Sequence, residues 1–194
     1  MTPRQELRRL IDQRGYTMVP GAYDTLTARL VEAAGFAAVY LTGGGYSRAS
    51  GYPDLGLLSL TENVLFIGRT VEAVGIPVIA DADTGYGNAI NVIRTVREYE
   101  KTGVAGFHIE DQVSPKKCGH YEGKEVISRA EMVGKIKAAV DTRRDPDLVI
   151  IARSDARAIE GLAAAIDRAQ HRAARCRREC RPRRRGRPCT GSAR

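Results

Sequence analysis

Two aspartates spaced i, i+2, Asp81 and Asp83, close an apolar run in "IPVIADADTGYG". At a strand end that spacing puts both carboxylates on one face. Carboxylates so close repel unless a cation or a proton lies between them. Mg²⁺, or Mn²⁺ in its place, suits such a pair, because it takes one or two carboxylates and completes its shell with water or substrate oxygens. A solvated acidic turn would read the same. The apolar run before the pair and the glycines after it, which let a ligand reach the backbone, bring the two readings to even terms.

Other strand ends carry matching chemistry. Glu110 and Asp111 end "GFHIEDQ", where Glu110 is either a further metal ligand or a solvated cap. Cys118 and His120 lie in "VSPKKCGHYEGKE", beside Lys116, Lys117 and Gly119. Cations and an imidazole favour a proton-donating or nucleophilic thiol. A lone cysteine is otherwise a small buried hydrophobe, although this loop's Lys, Gly, His and Pro are poor core formers. Arg153 ends "VIIARSD", where a bidentate substrate carboxylate competes with a structural salt bridge. Thr42, Gly43 and Gly44 offer hydroxyl and N–H donors to a second carboxylate.

The elements that must position these residues are short apolar runs at 16–22, 37–43, 76–83, 104–111 and 148–155. Being apolar nearly throughout, they read as strands buried on both faces of a parallel sheet. Helical periodicity lies between them, at 3–14, 24–34, 60–74, 88–102, 128–143 and 159–170. Alternating βα units imply an α/β fold. Polar or glycine residues at nearly every strand end favour a (β/α)8 barrel, whose C-terminal strand ends build one site. A Rossmann sheet would concentrate its signal in one GxGxxG turn, and "TGGGYSRASG" lacks that spacing.

The 194 residues suit one domain. Their formal net charge of +8 would suggest nucleic acid as a partner, but residues 171–194 hold ten Arg against one acid, Glu179. That segment therefore carries +9 and the rest of the chain −1. Three of the four cysteines also lie there, leaving Cys118 alone in the body. A reducing cytoplasm is the expected compartment, with neither a secretory signal nor a membrane span. The expected division is a catalytic body over 1–170 and an Arg/Cys-rich, non-native or disordered tail over 171–194. A reading-frame shift accounts best for that tail. A genuine basic arm, or a zinc site from His171, Cys176, Cys180 and Cys189, are the other readings.

The motifs "YLTGGG", "GYPDLGLLSLTE", "DADTGYG", "GFHIEDQVSPKKCGH" and "IARSDA", in that order, resemble the isocitrate lyase/phosphoenolpyruvate mutase superfamily over about residues 4–170. The similarity is to its short methylisocitrate lyase and dimethylmalate lyase type. It implies Mg²⁺ anchored by Asp81, Asp83 and Glu110. Thr42, Gly43, Gly44, Gly119 and Arg153 would contact the substrate, with Asp54 in a mobile loop. Tyr40 would be the base, and Cys118, assisted by His120, the general acid. The implied reaction cleaves a 2-hydroxy di- or tricarboxylate to a 2-oxo acid and a carboxylic acid. Tyr121 departs from the Leu, Met, Gln or Arg expected after the Lys-Lys-Cys-Gly-His run.

The alternatives are a carboxyvinyl-carboxyphosphonate phosphorylmutase-like enzyme, and an inactive fragment or binding module with a basic tail. Five strands are expected where a closed barrel has eight, so the chain reads as a truncated member with open, aggregation-prone edges. Longer relatives are expected to be homo-oligomers, tetramers among them. The expected partner is a small hydroxy-carboxylate, not nucleic acid or a membrane.

Overall fold

A computed structural model describes the backbone of residues 1–179 and the side chains of residues 1–170. Five strands, β1 (Gly21–Ala22), β2 (Val39–Leu41), β3 (Val78–Asp81), β4 (Gly106–Glu110) and β5 (Val149–Arg153), form one sheet in the order β1-β2-β3-β4-β5. Every pairing is parallel. A doubly wound sheet reverses its strand order at a switch point. This sheet does not, and its consecutive order is that of five successive units of a (β/α)8 barrel, as the strand ends implied.

Helices α1 (Pro3–Asp12), α2 (Thr25–Ala33), α4 (Leu60–Ala73), α5 (Ala89–Lys101) and α6 (Arg129–Thr142) fall where the periodicity places them. Their starts are encoded locally. Thr2, Asp24, Ser59, Asn88 and Ser128 each accept a hydrogen bond from a backbone N–H of the first turn, satisfying groups that would otherwise lack partners. Tertiary packing then fixes the helices. Val92 and Val96 of α5, Met132 of α6, and Phe107 and Ile109 of β4 share one buried cluster. Burying each such side chain contributes about 1.5–3 kcal/mol.

The strands are shorter than the apolar runs: β1 keeps only the last two residues of 16–22, and β3 ends at Asp81, where the chain leaves the ladder to build a loop. Asp83 and Tyr86 take left-handed φ values of 46° and 59°. Asp81 and Asp83 therefore do not share a strand face, contrary to their i, i+2 spacing. Two helices were not expected. Residues Gly43–Ala49 form α3, capped by Thr42. The run expected at 159–170 begins as α7 (Arg157–Glu160), turns at Gly161 (φ 88°) and continues as α8 (Leu162–Glu179). The backbone thus stays helical nine residues past the expected boundary at 170. Residues 180–194, and with them most of the Arg/Cys-rich tail and its zinc reading, lie outside the described residues.

Candidate active site

Parallel register decides which side chains meet. Tyr40 of β2 pairs with Ile79, Asp81 of β3 with His108, and Glu110 of β4 with Arg153 of β5. Because neighbours in register stand on the same face, Tyr40, Asp81, His108, Glu110 and Arg153 form one polar file, while Leu41, Ala80, Phe107 and Ile109 pack in the apolar core. Tyr99 of α5 fixes the end of β3, donating its hydroxyl to the Asp81 carbonyl at 2.8 Å.

The file is tightly connected. Tyr40 donates to Asp81 Oδ2 at 3.2 Å, and its hydroxyl lies 2.7 Å from His108 Nε2. Asp81 Oδ1 accepts the Asp83 N–H at 2.9 Å. Lys116, 5% exposed, bridges Asp54 and Asp83, with its Nζ 3.0 Å from Asp83 Oδ1. Arg153 pairs with Glu110 and with Asp155, each at 3.1 Å. Along the sequence Lys116 is only a neighbour of Cys118. Its role needed the fold, because Asp54 and Asp83 lie in other loops. His108 was also missed, although its place in an apolar run two residues before Glu110 was a signal.

The three glycines after Thr42 have a physical reason. A Cβ at Gly43 would lie 2.7 Å from Asp81 Oδ2, and one at Gly44 would lie 2.7 Å from Asp54 Oδ2. Only glycine lets both carboxylates approach this turn. The Gly43 N–H donates to Asp81 Oδ2 at 3.3 Å, and Thr42 caps Gly45 at 3.3 Å. Gly119 likewise abuts Arg153, where a Cβ would sit 2.9 Å from Nη2.

Burial and crowding set the electrostatics. Burial and then the Asp81 charge push Asp83 up to about 6. Burial pushes Glu110 up to about 8 against the pull of Arg153. Burial opposes the charge on Asp81 too, but His108, Lys116 and the Asp83 amide outweigh it and hold Asp81 below its usual value. His108 is pushed down by burial. Tyr40 is pushed well up, first by burial and then by Asp81. A phenol so placed is a donor to a carboxylate, which argues against the free base that the resemblance implied for it.

Cys118 is buried, at 6% exposure. Its loop is pinned by the Cys118 N–H to the Asp54 carbonyl at 3.0 Å. The Sγ lies 3.5 Å from His120 Nδ1 and 3.7 Å from Arg48 Nη2 of α3. Asp111, fully buried, accepts from Ser154 Oγ at 2.7 Å and the Asp155 N–H at 2.9 Å. Arg168 of α8 reaches Asp111 at 3.6 Å and the Ile127 carbonyl at 2.8 Å, tying α8 to the end of β4. Asp111 is thus a structural anchor beside Glu110.

The residues fit a divalent cation. Asp54, Asp81, Asp83, Glu110 and Asp155 share this region with two buried or half-buried cations, Lys116 and Arg153. Glu110 Oε1 is buried with no hydrogen-bond partner. Among the described residues no three His, Cys, Asp or Glu side chains close around an ion as they stand, but Mg²⁺ needs only one or two carboxylates beside water or substrate.

The sequence pattern of the phosphoenolpyruvate phosphomutase family matches residues 7–175. The chain belongs to the phosphoenolpyruvate mutase/isocitrate lyase superfamily. It is 55% identical over 169 residues to a 2,3-dimethylmalate lyase of Eubacterium barkeri, covering 87% of this chain and 58% of that protein. It is 51% identical over 168 residues to a 2-methylisocitrate lyase of Aeropyrum pernix, covering 87% and 54%. Among solved structures, a 2,3-dimethylmalate lyase superposes with a TM-score of 0.84 at 40% identity, over 90% of this chain and 60% of that one. A phosphonopyruvate hydrolase in complex with oxalate and Mg²⁺ superposes with a TM-score of 0.82 at 35% identity, again over 90% and 60%. The chain therefore spans a little over half the length of these superfamily members.

Proposed function

We propose that this chain carries the site of a Mg²⁺-dependent carbon–carbon lyase that cleaves a 2-hydroxy di- or tricarboxylate, of the 2,3-dimethylmalate or 2-methylisocitrate type. The observation that carries the reading is a surplus of buried carboxylate, with an unpartnered Glu110 oxygen, in a site whose Asp54 carbonyl also holds the backbone N–H of Cys118. Asp81, Asp83 and Glu110 would hold the cation. When bound it polarises the hydroxy-carboxylate and acidifies the hydroxyl.

The chain's own groups supply the rest. Tyr40, hydrogen-bonded to Asp81 and His108, orients the file as a neutral phenol. Gly43, Gly44 and Gly119 keep backbone close to Asp81, Asp54 and Arg153. The hydroxyl proton passes to Tyr40 Oη as that phenol hands its own to His108 Nε2, 2.7 Å away. The C–C bond then breaks with its electron pair going to the departing carbon, and the alkoxide becomes the carbonyl of a 2-oxo acid. Cys118 Sγ delivers a proton to that carbon, and His120 Nδ1, 3.5 Å away, can restore it.

The phosphorylmutase reading is kept as the alternative because members of that chemistry share the superfamily. It leaves Cys118 and His120 without a task. The test is 2-oxo acid release from 2,3-dimethylmalate and 2-methylisocitrate with and without Mg²⁺. Release should need the metal and fall about 10²–10⁴-fold in Cys118→Ser. No release from either substrate, or full activity in Cys118→Ser, would overturn the proposal.

A further inference from the structure

The site's buried cations are already committed. Arg153 is engaged by Glu110 and Asp155, and Lys116 by Asp54 and Asp83. A second substrate carboxylate arriving near the thiol would have to break one of these charge pairs to use either. Of the cations around Cys118, Lys117 and Lys124 reach carbonyls of their own loop, at Gly123, Gly119 and Tyr121.

Arg48 differs from all of these. It comes from a different element, α3, and touches the sulfur itself. Its Nη1 donates to the Gly44 carbonyl at 3.2 Å and its Nη2 to Cys118 Sγ at 3.7 Å, while the Tyr121 side chain is a third partner. None of the three partners is a carboxylate. The side chain is exposed, at the C-terminal end of a short helix. A guanidinium presents five donors in a fixed fork, which a carboxylate matches with two parallel bonds and opposite charge. A carboxylate therefore outcompetes a carbonyl, a phenol and a thiol for it.

We propose that Arg48 is the residue that recognises the carboxylate on the carbon protonated by Cys118. The inference rests on the lyase reading and adds a residue to its site. In both substrates proposed above the departing carbon bears its own carboxylate, and Arg48 holds that group within reach of Sγ. Negative charge developing on that fragment after C–C cleavage delocalises into the same carboxylate, where the guanidinium stabilises it. Tyr121, the departure from the expected pattern, occupies one side of the fork and so belongs to this chain's own version of the pocket.

Alkylation of Cys118 in the full chain tests this without requiring turnover. Iodoacetate carries a carboxylate, whereas iodoacetamide has the same shape without charge, and peptide mass spectrometry separates Cys118 from the other cysteines. The iodoacetate-to-iodoacetamide rate ratio at Cys118 should fall about tenfold in Arg48→Gln and be partly kept in Arg48→Lys. The neutral reagent corrects for any change in thiol exposure, and circular dichroism checks the fold.

An unchanged ratio in Arg48→Gln, or no reaction of Cys118 with either reagent, would overturn the proposal. A ratio that falls as expected in a chain that releases no 2-oxo acid would sink the lyase reading and leave the carboxylate site standing. Lyase activity with an unchanged ratio would do the reverse.

Discussion

The sheet carries an ionic cluster at each end, and the two are built on opposite principles. At the N-terminal strand ends Arg4 of α1 donates to Asp145 Oδ2 at 2.8 Å and to the carbonyls of Glu100 and Val104 at 2.8 and 3.0 Å. Glu100 in turn accepts the Arg144 and Asp145 N–H groups. Each group there has a partner of the right kind, so the cluster clamps α1 beneath the strands. A cavity of about 480 Å³ opens beside it, larger than the cleft of about 250 Å³ next to Asp83 and Lys116. At the C-terminal ends carboxylates outnumber cations, Glu110 Oε1 and His108 Nδ1 lack partners, and Asp83 and Glu110 are pushed up. Unbalanced buried charge marks a ligand site better than cavity size does, because an unsatisfied buried group costs stability unless something binds it.

Several experiments break or sharpen that contrast. Lys116→Met should have the largest effect on stability, since it strips the shared cation from buried Asp54 and Asp83. Loss of one partner of a buried pair costs about 3–5 kcal/mol, read from urea denaturation. Millimolar Mg²⁺ should recover part of that loss in Lys116→Met. An unchanged midpoint would mean that the upper cluster is as self-sufficient as the lower.

Glu110 gives the next effect. Its pKa, about 8 in the fold, lies above the usual carboxylate value, so the stability it contributes is present at low pH and lost as pH rises through 8. In EDTA, wild-type stability should therefore decline between about pH 4.5 and 8, and Glu110→Gln should flatten that decline. Identical pH profiles for the two proteins would refute it.

At the lower cluster Arg4→Met should cost about 1.5–3 kcal/mol, the range for hydrogen bonds to charged groups, without altering the alkylation of Cys118. A change in Cys118 reactivity would show that the two ends communicate. Lys101→Ala, which removes an exposed i, i+3 pair with Glu98, should leave the urea midpoint within experimental scatter.

The legible part of this protein was the part that local rules write. Helix positions followed from apolar periodicity, and the structure shows Thr2, Ser59, Asn88 and Ser128 capping their own first turns at those starts. The order of strands followed from alternating βα units. Helix α3 was not legible, because three consecutive glycines are poor helix formers. Its formation rests on the Thr42 cap and on the close approach of Asp81 and Asp54 to Gly43 and Gly44, a contact between segments distant in sequence. The strand face shared by Asp81 and Asp83 failed for a related reason, since Asp83 leaves the ladder in a left-handed turn.

The amino-acid sequence by itself determined the βα alternation, the parallel arrangement and the residue types that could do chemistry, because propensity, capping and periodicity act within a few residues. It also placed Cys118 beside His120. Tertiary structure alone decided which charges meet. Parallel register set Asp81 against His108 and Glu110 against Arg153, and loop packing brought Lys116 between Asp54 and Asp83 and Arg48 onto Cys118. The Lys116–Asp54 and Arg48–Cys118 contacts join residues 62 and 70 positions apart. Coulombic and hydrogen-bonding forces act through space, so no reading along the chain could assign them.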